Sequence, residues 1–145
     1  MYKRILVPLD GSTLSEGILP HAMIIAKAME AEMVLLYVVP AAAPEFSVQS
    51  TTPELKIFQE AEAEMKIYLK NECSKLEKEE LRVTYLIREG SVIETILEVA
   101  EAMQTDMIAM STHGRTGALR LLFGSVTEGV VHNSQLPVMV IRPKA

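Results

Sequence analysis

Apolar residues along the chain alternate between two patterns, a short continuous run and a three-to-four spacing. Ile5-Leu6-Val7 is a continuous run and reads as a buried strand. From Thr13 to Met29, Leu14, Ile18, Ala22, Ile25 and Met29 fall on one face of a helix. Thr13 and Glu16 have the spacing of a capping box at its start. Pro20 lies inside this helix, lacks an N–H and crowds the carbonyl of Glu16, so a bend is expected between Glu16 and Pro20, eased by Gly17. Met33 to Val39 is apolar almost throughout, as a strand covered on both faces requires. Ala41 to Thr52, with Pro44 and several small residues, reads as a loop. Thr52-Pro53 then reads as an N-cap followed by proline at the first helical position.

The longest helix is expected over Pro53 to Glu80, with Phe58, Ala61, Met65, Leu69, Cys73 and Leu76 as its buried stripe. A strand over Arg82 to Ile87 follows. Ser91 and Glu94 suggest a second capping box before a helix from Val92 to Met103. Asp106 to Met110 reads as a strand, Ser125 to Asn133 as a helix and Val138 to Ile141 as the last strand. Strands alternating with helices predict an α/β protein with a doubly wound parallel sheet. Spacing alone does not give the order of the strands in that sheet.

Composition adds bounds. A chain of 145 residues suits one domain, 1–145, and its 49% apolar content supports a real core. No apolar run has the length needed to cross a bilayer, so no membrane partner is expected. The net charge of −5 argues against nucleic acid, whose phosphates are held by Lys and Arg. The single cysteine, Cys73, and the lack of a secretory leader point to the cytoplasm.

The candidate chemistry follows the run Met107-Ile108-Ala109-Met110. Ser111-Thr112-His113-Gly114-Arg115-Thr116-Gly117, with Gly124-Ser125 farther on, is a glycine-rich loop leading into a helix. Backbone N–H groups in such a loop and at a helix start can cradle a phosphate. A plainer reading competes: Ser125-Val126-Thr127-Glu128 has the form of a capping box, which would use the same N–H groups. A phosphate there requires Glu128 to face solvent. Arg115 reads either as a fork on a phosphate or as a solvated loop residue. Asp10, after Pro8 and Leu9, is either a turn residue or a carboxylate for a ribose hydroxyl or a hydrated cation. Val38 and Met110 are core residues near strand ends. His113 has no second ligand at metal spacing, and no metal site is expected. The chain holds no Gly-x-Ser-x-Gly, no Gly-Lys-Ser/Thr after its glycines and no Gly-x-Gly-x-x-Gly.

The pattern Gly114, nine residues, Gly124-Ser125 resembles the C-terminal signature of the universal stress protein family in its ATP-binding branch. That signature begins with another glycine, and Ser111 stands at its place. The resemblance runs from Lys3-Arg4-Ile5-Leu6-Val7-Pro8-Leu9-Asp10-Gly11-Ser12 to Leu136-Pro137-Val138-Met139-Val140. It implies an adenine-nucleotide α-hydrolase-like fold with five parallel strands in the order 3-2-1-4-5. Ligands in such sheets bind beyond the carboxyl ends of the strands where the order reverses, here at Pro8-Leu9-Asp10 and Met110-Ser111-Thr112. The resemblance further implies adenine on the backbone of Val38, ribose near Asp10, and phosphates at Gly114, Gly124 and Ser125, with Arg115 and Val126 beside them. The cofactor implied is ATP, or AMP or ADP, with Mg2+ or Mn2+ on the phosphates. No catalytic residues are expected, and hydrolysis would at most be slow. The role implied is that of a nucleotide-gated stress-response regulator or protectant. A dimeric interaction module without nucleotide, or a slow ATP-hydrolysing enzyme, are the alternatives. With that strand order Val138, Met139, Val140 and Ile141 form an open edge, and a homodimer through them is expected.

Overall fold

The first strand, β1 (Arg4–Pro8), has its three central residues fully buried. The computed structural model describes residues 2–41, 52–112 (side chains from residue 59) and 124–143. After β1 come α1 (Thr13–Glu16), α2 (Leu19–Met29), β2 (Glu32–Pro40), α3 (Thr52–Glu77) and β3 (Val83–Gly90). Then follow α4 (Val92–Ala102), β4 (Met107–Ser111), α5 (Ser125–Asn133) and β5 (Val138–Ile141). The five strands form one parallel sheet in the order β3-β2-β1-β4-β5, as the resemblance implied.

Alternation along the strands divides the core in two. Ile5, Val7, Met33, Leu35 and Ala109 face α2 and α3, where they meet Ala22, Leu69, Cys73 and Leu76. Leu6, Val34, Leu36, Ile108 and Met110 face α4 and α5, where they meet Ile96, Val99 and Val130. Both sheet faces are therefore covered, which is why the strands read as unbroken apolar runs.

The region around Pro20 departs from expectation. Instead of one bent helix there are two, because Pro20 supplies no N–H to Glu16. The gap is spanned by tight i→i−3 bonds, Gly17 N to Leu14 O at 3.2 Å and Ile18 N to Ser15 O at 3.4 Å. The helix resumes at Leu19, with Pro20 in its first turn, where no N–H is needed. The expected capping boxes also differ. Ser12, not Thr13, caps α1, its hydroxyl accepting from Ser15 N at 3.1 Å. Ser91 precedes α4 without a side-chain cap bond. Strand β3 continues past Ile87 to Gly90 because β2 pairs with it through Pro40. Asp106 lies just outside β4, and its carboxylate accepts from the N–H groups of Lys3 and Arg4 at 2.7 and 3.0 Å, fixing the start of β1.

Candidate functional site

The carboxyl ends of β1 and β4 diverge where the strand order reverses, and a cleft of about 220 Å3 opens between them. Pro8, Leu9, Asp10, Val38, Met110, Gly124 and Val126 all line it. Ser125 does not; it is exposed as the first residue of α5. Gly114 and Arg115 lie outside the described residues. The apolar wall comes from Leu36, Val38, Ile96, Met110 and Val126.

The strand ladder determines what Val38 offers. Glu32 N donates to Lys3 O, and Leu36 O accepts from Leu9 N at 2.8 Å, so even-numbered residues of β2 turn their backbone groups toward β1. Met33 N donates to Arg82 O, so odd-numbered residues turn toward β3. Val38 is even-numbered, and β1 pairs with β2 only as far as Pro8 opposite Leu36. The N–H and C=O of Val38 therefore project into the space beyond β1, while its side chain stays buried.

Asp10 is held in a hydrogen-bonded turn. Its Oδ1 accepts from Ser12 N at 2.8 Å and from the Ser12 hydroxyl, while its own N–H donates to Ser15 Oγ at 3.2 Å. Gly11 makes this turn possible, since its φ of +88° is strained for any residue with a Cβ. The turn leans on α3, where Met65 sits beside Gly11 and Tyr68 donates its phenol O–H to Glu16. Burial, then the bond to Glu16, then the charges of Glu16, Glu72 and Asp10 push the Tyr68 phenol well above its ordinary value.

Across the cleft, α5 points its N-terminus inward. Its cap is Gly124, in extended conformation, and among the described residues no side chain caps the first turn. The expected competition with a Ser125–Glu128 capping box does not arise. Glu128 turns to solvent beside His132, 3.7 Å from its Nε2. Thr127 donates its hydroxyl to Ser111 O at 3.1 Å and so fixes the helix start against β4. The first N–H groups of α5 keep their partial positive charge for a ligand. Among the described lining residues Asp10 is the one charged group, and no cluster of three His, Cys, Asp or Glu that could hold a metal occurs among the described residues.

Ser111 lines the cleft, as its place at the end of its strand and in the glycine signature led one to expect. Ser15 and Thr127 line it as well, yet sequence reasoning gave them no binding role and offered no signal for one.

Comparison with known proteins agrees with this architecture. The model of the universal stress protein family matches residues 1–142. Universal stress protein MJ0531 of Methanocaldococcus jannaschii is 34% identical over 142 residues, covering 98% of this chain and 83% of that protein. MJ0577 of the same organism is 33% identical over 157 residues, covering 99% and 97%. The solved structure of MJ0577 superposes with a TM-score of 0.80 at 35% identity, covering 99% of this chain and 98% of that one. A universal stress protein from Archaeoglobus fulgidus, solved in complex with dAMP, shares the fold with a TM-score of 0.70 at 18% identity, covering 97% and 98%. By sequence and by fold, the chain belongs to the universal stress protein family.

Proposed function

We propose that this protein binds an adenine nucleotide, ATP or its AMP or ADP products, and acts as a nucleotide-gated regulator or protectant under stress in the cytoplasm. The observation that carries the reading is the N-terminus of α5, without a side-chain cap among the described residues, opening into an apolar cleft at the strand-order reversal. The cleft offers adenine an apolar slot and the backbone donor and acceptor of Val38. That pair complements the N1 and exocyclic amine of adenine and opposes the pattern of guanine. The ribose lies toward Asp10, and the phosphates toward Gly124, Ser125 and Val126, with Gly114 and Arg115 assigned by the resemblance. The dAMP complex of the Archaeoglobus fulgidus relative supports an adenine nucleoside monophosphate unit in this fold. A Mg2+ or Mn2+ ion fits as one held by the phosphates, since no cluster of three His, Cys, Asp or Glu that could hold it occurs among the described residues. The bound ion would neutralise phosphate charge. The described lining residues hold no general acid–base pair, so binding rather than turnover is the proposed role.

Magnesium ATP at a hundred times its Kd should stabilise the fold by about 2.7 kcal/mol. Gly124→Val should remove that thermal shift while the protein stays folded, because its side chain would fill the phosphate position. A wild-type melting temperature unmoved by millimolar ATP would refute the reading.

We also propose a homodimer through β5. Pro137 O accepts from Ile108 of β4 and Ile141 O from Thr112 just beyond it, so Val138 and Val140 turn their N–H and C=O groups to the open edge. Antiparallel pairing with a second copy would satisfy them. Val140→Pro removes an outward donor and no bond to β4, so the expected product is a folded monomer. Light scattering checks this; a wild-type monomer at high micromolar concentration would exclude the dimer.

A further inference from the structure

Ser111 stands where the family signature has a glycine, and its hydroxyl has a specific partner. It donates to Ser15 O at 3.2 Å, across the cleft floor from β4 to α1. That carbonyl is available because the chain breaks between α1 and α2. In a continuous helix Ser15 O would accept from Leu19 N; here Ile18 N reaches it at 3.4 Å. Ser15 is also the hub of the Asp10 turn, its hydroxyl accepting from Asp10 N and donating to Ser12 O at 3.0 Å. On the other side the Ser111 carbonyl accepts from Thr127 of α5. Ser111 therefore joins the turn that carries Asp10 to the helix that carries Gly124. A glycine at this place keeps the bond to Thr127 but has no hydroxyl for Ser15.

We propose that Ser111 is a positioning residue that sets the spacing between the Asp10 side and the phosphate side of the cleft, and thereby the affinity for a nucleoside phosphate. The proposal rests on the nucleotide reading above. A site held in its bound geometry loses less freedom when the ligand arrives. One neutral hydrogen bond of this kind corresponds to a change in affinity of about three- to tenfold.

The test uses the full chain as wild type, Ser111→Ala, Ser111→Gly and Ser111→Thr, with magnesium ATP as the probe. Calorimetric titration should show Kd raised about three- to tenfold in the Ala and Gly variants and held near the wild-type value in Thr. Without nucleotide, the amides of Asp10 and Ser15 should exchange hydrogen faster in Ala and Gly, with exchange in β2 and α4 unchanged. Wild-type affinity in Ser111→Ala would overturn the proposal, as would tighter binding by Ser111→Gly. Should the wild type itself not bind, the nucleotide reading fails; the role of Ser111 in setting the turn then stands or falls on the exchange of Asp10 and Ser15.

Discussion

Gly129→Val is expected to destabilise the protein by about 1–3 kcal/mol, the range for inserting bulk into a packed interior. Gly129 is where α5 crosses α4. A Cβ there would lie 2.3 Å from Ile93 Cδ1, 3.0 Å from Cγ1 and 3.3 Å from Cγ2. Rotating Cδ1 away does not suffice, because the rest of the Ile93 branch stays close. Cγ1 and Cγ2 must also give by a few tenths of an ångström, through a new rotamer of the half-buried Ile93 or a small shift of α5. Two effects oppose each other in the smaller replacement. Gly129→Ala gains about 1 kcal/mol of helix propensity, which offsets part of the clash, whereas valine gains less. Gly129→Ala combined with Ile93→Val should recover stability relative to Gly129→Ala alone, since the nearest atom is gone. Urea unfolding of the four proteins gives the coupling directly. Independent effects of the two sites would contradict the crossing. Because the start of α5 forms one wall of the cleft, the Gly129→Val protein should also show a smaller ATP-induced thermal shift.

The strands and helices were legible in sequence because both faces of the sheet are covered, and the apolar runs report that burial directly. Helix ends were less legible for a backbone reason. Glu30, Glu80 and Gln104 adopt left-handed conformations, with φ of 56°, 63° and 53°, at three chain reversals where a glycine would have been the readable stop signal. The Pro20 region was legible in place but not in kind. A bend needs the ladder to survive around the proline, and here the turn tightens to i→i−3 bonds at Gly17 and Ile18 and the helix stops. Strand order came from the resemblance, since no local residue pattern encodes which strand lies beside β1. In the site, Asp10 and Gly124 stood out through local chemistry. Ser15 and Thr127 did not, because their importance comes from partners 96 and 16 residues away. Ser111 was visible as the end of its strand and as a departure from a glycine, but the role of its hydroxyl was not. The structure supplies what replaces that glycine, a hydroxyl bonded to a carbonyl left available by the Pro20 break.

Stability should fall steeply on the alkaline side, and two residues on neighbouring turns of α3 account for it. Cys73 is 5% exposed, and burial first, then the charges of Glu77 and Glu72, push its thiol up to about 11 from 9.0. The Tyr68 phenol is raised farther above its own value of 10.0. Both groups are neutral when protonated, so the folded chain keeps its protons where the unfolded chain has released them. The unfolded state then binds fewer protons, and unfolding free energy decreases as pH rises. The Cys73 contribution is fully present below about pH 9 and is lost between 9 and 11. That of Tyr68 begins to be lost near pH 10 and continues beyond. Each group changes stability by at most about 1.4 kcal/mol per pH unit, less for half-buried Tyr68, whose surroundings water partly screens. Tyr68→Phe removes the bond to Glu16, so it should be less stable than wild type at pH 7 by about 1 kcal/mol. The gap should narrow above pH 10, because phenylalanine has no proton to lose. Cys73→Ala should flatten the decline between pH 9 and 11 in the same way. Melting curves recorded from pH 7 to 11 test both, and a wild-type melting temperature that stays level from pH 9 to 11 would contradict the assignment.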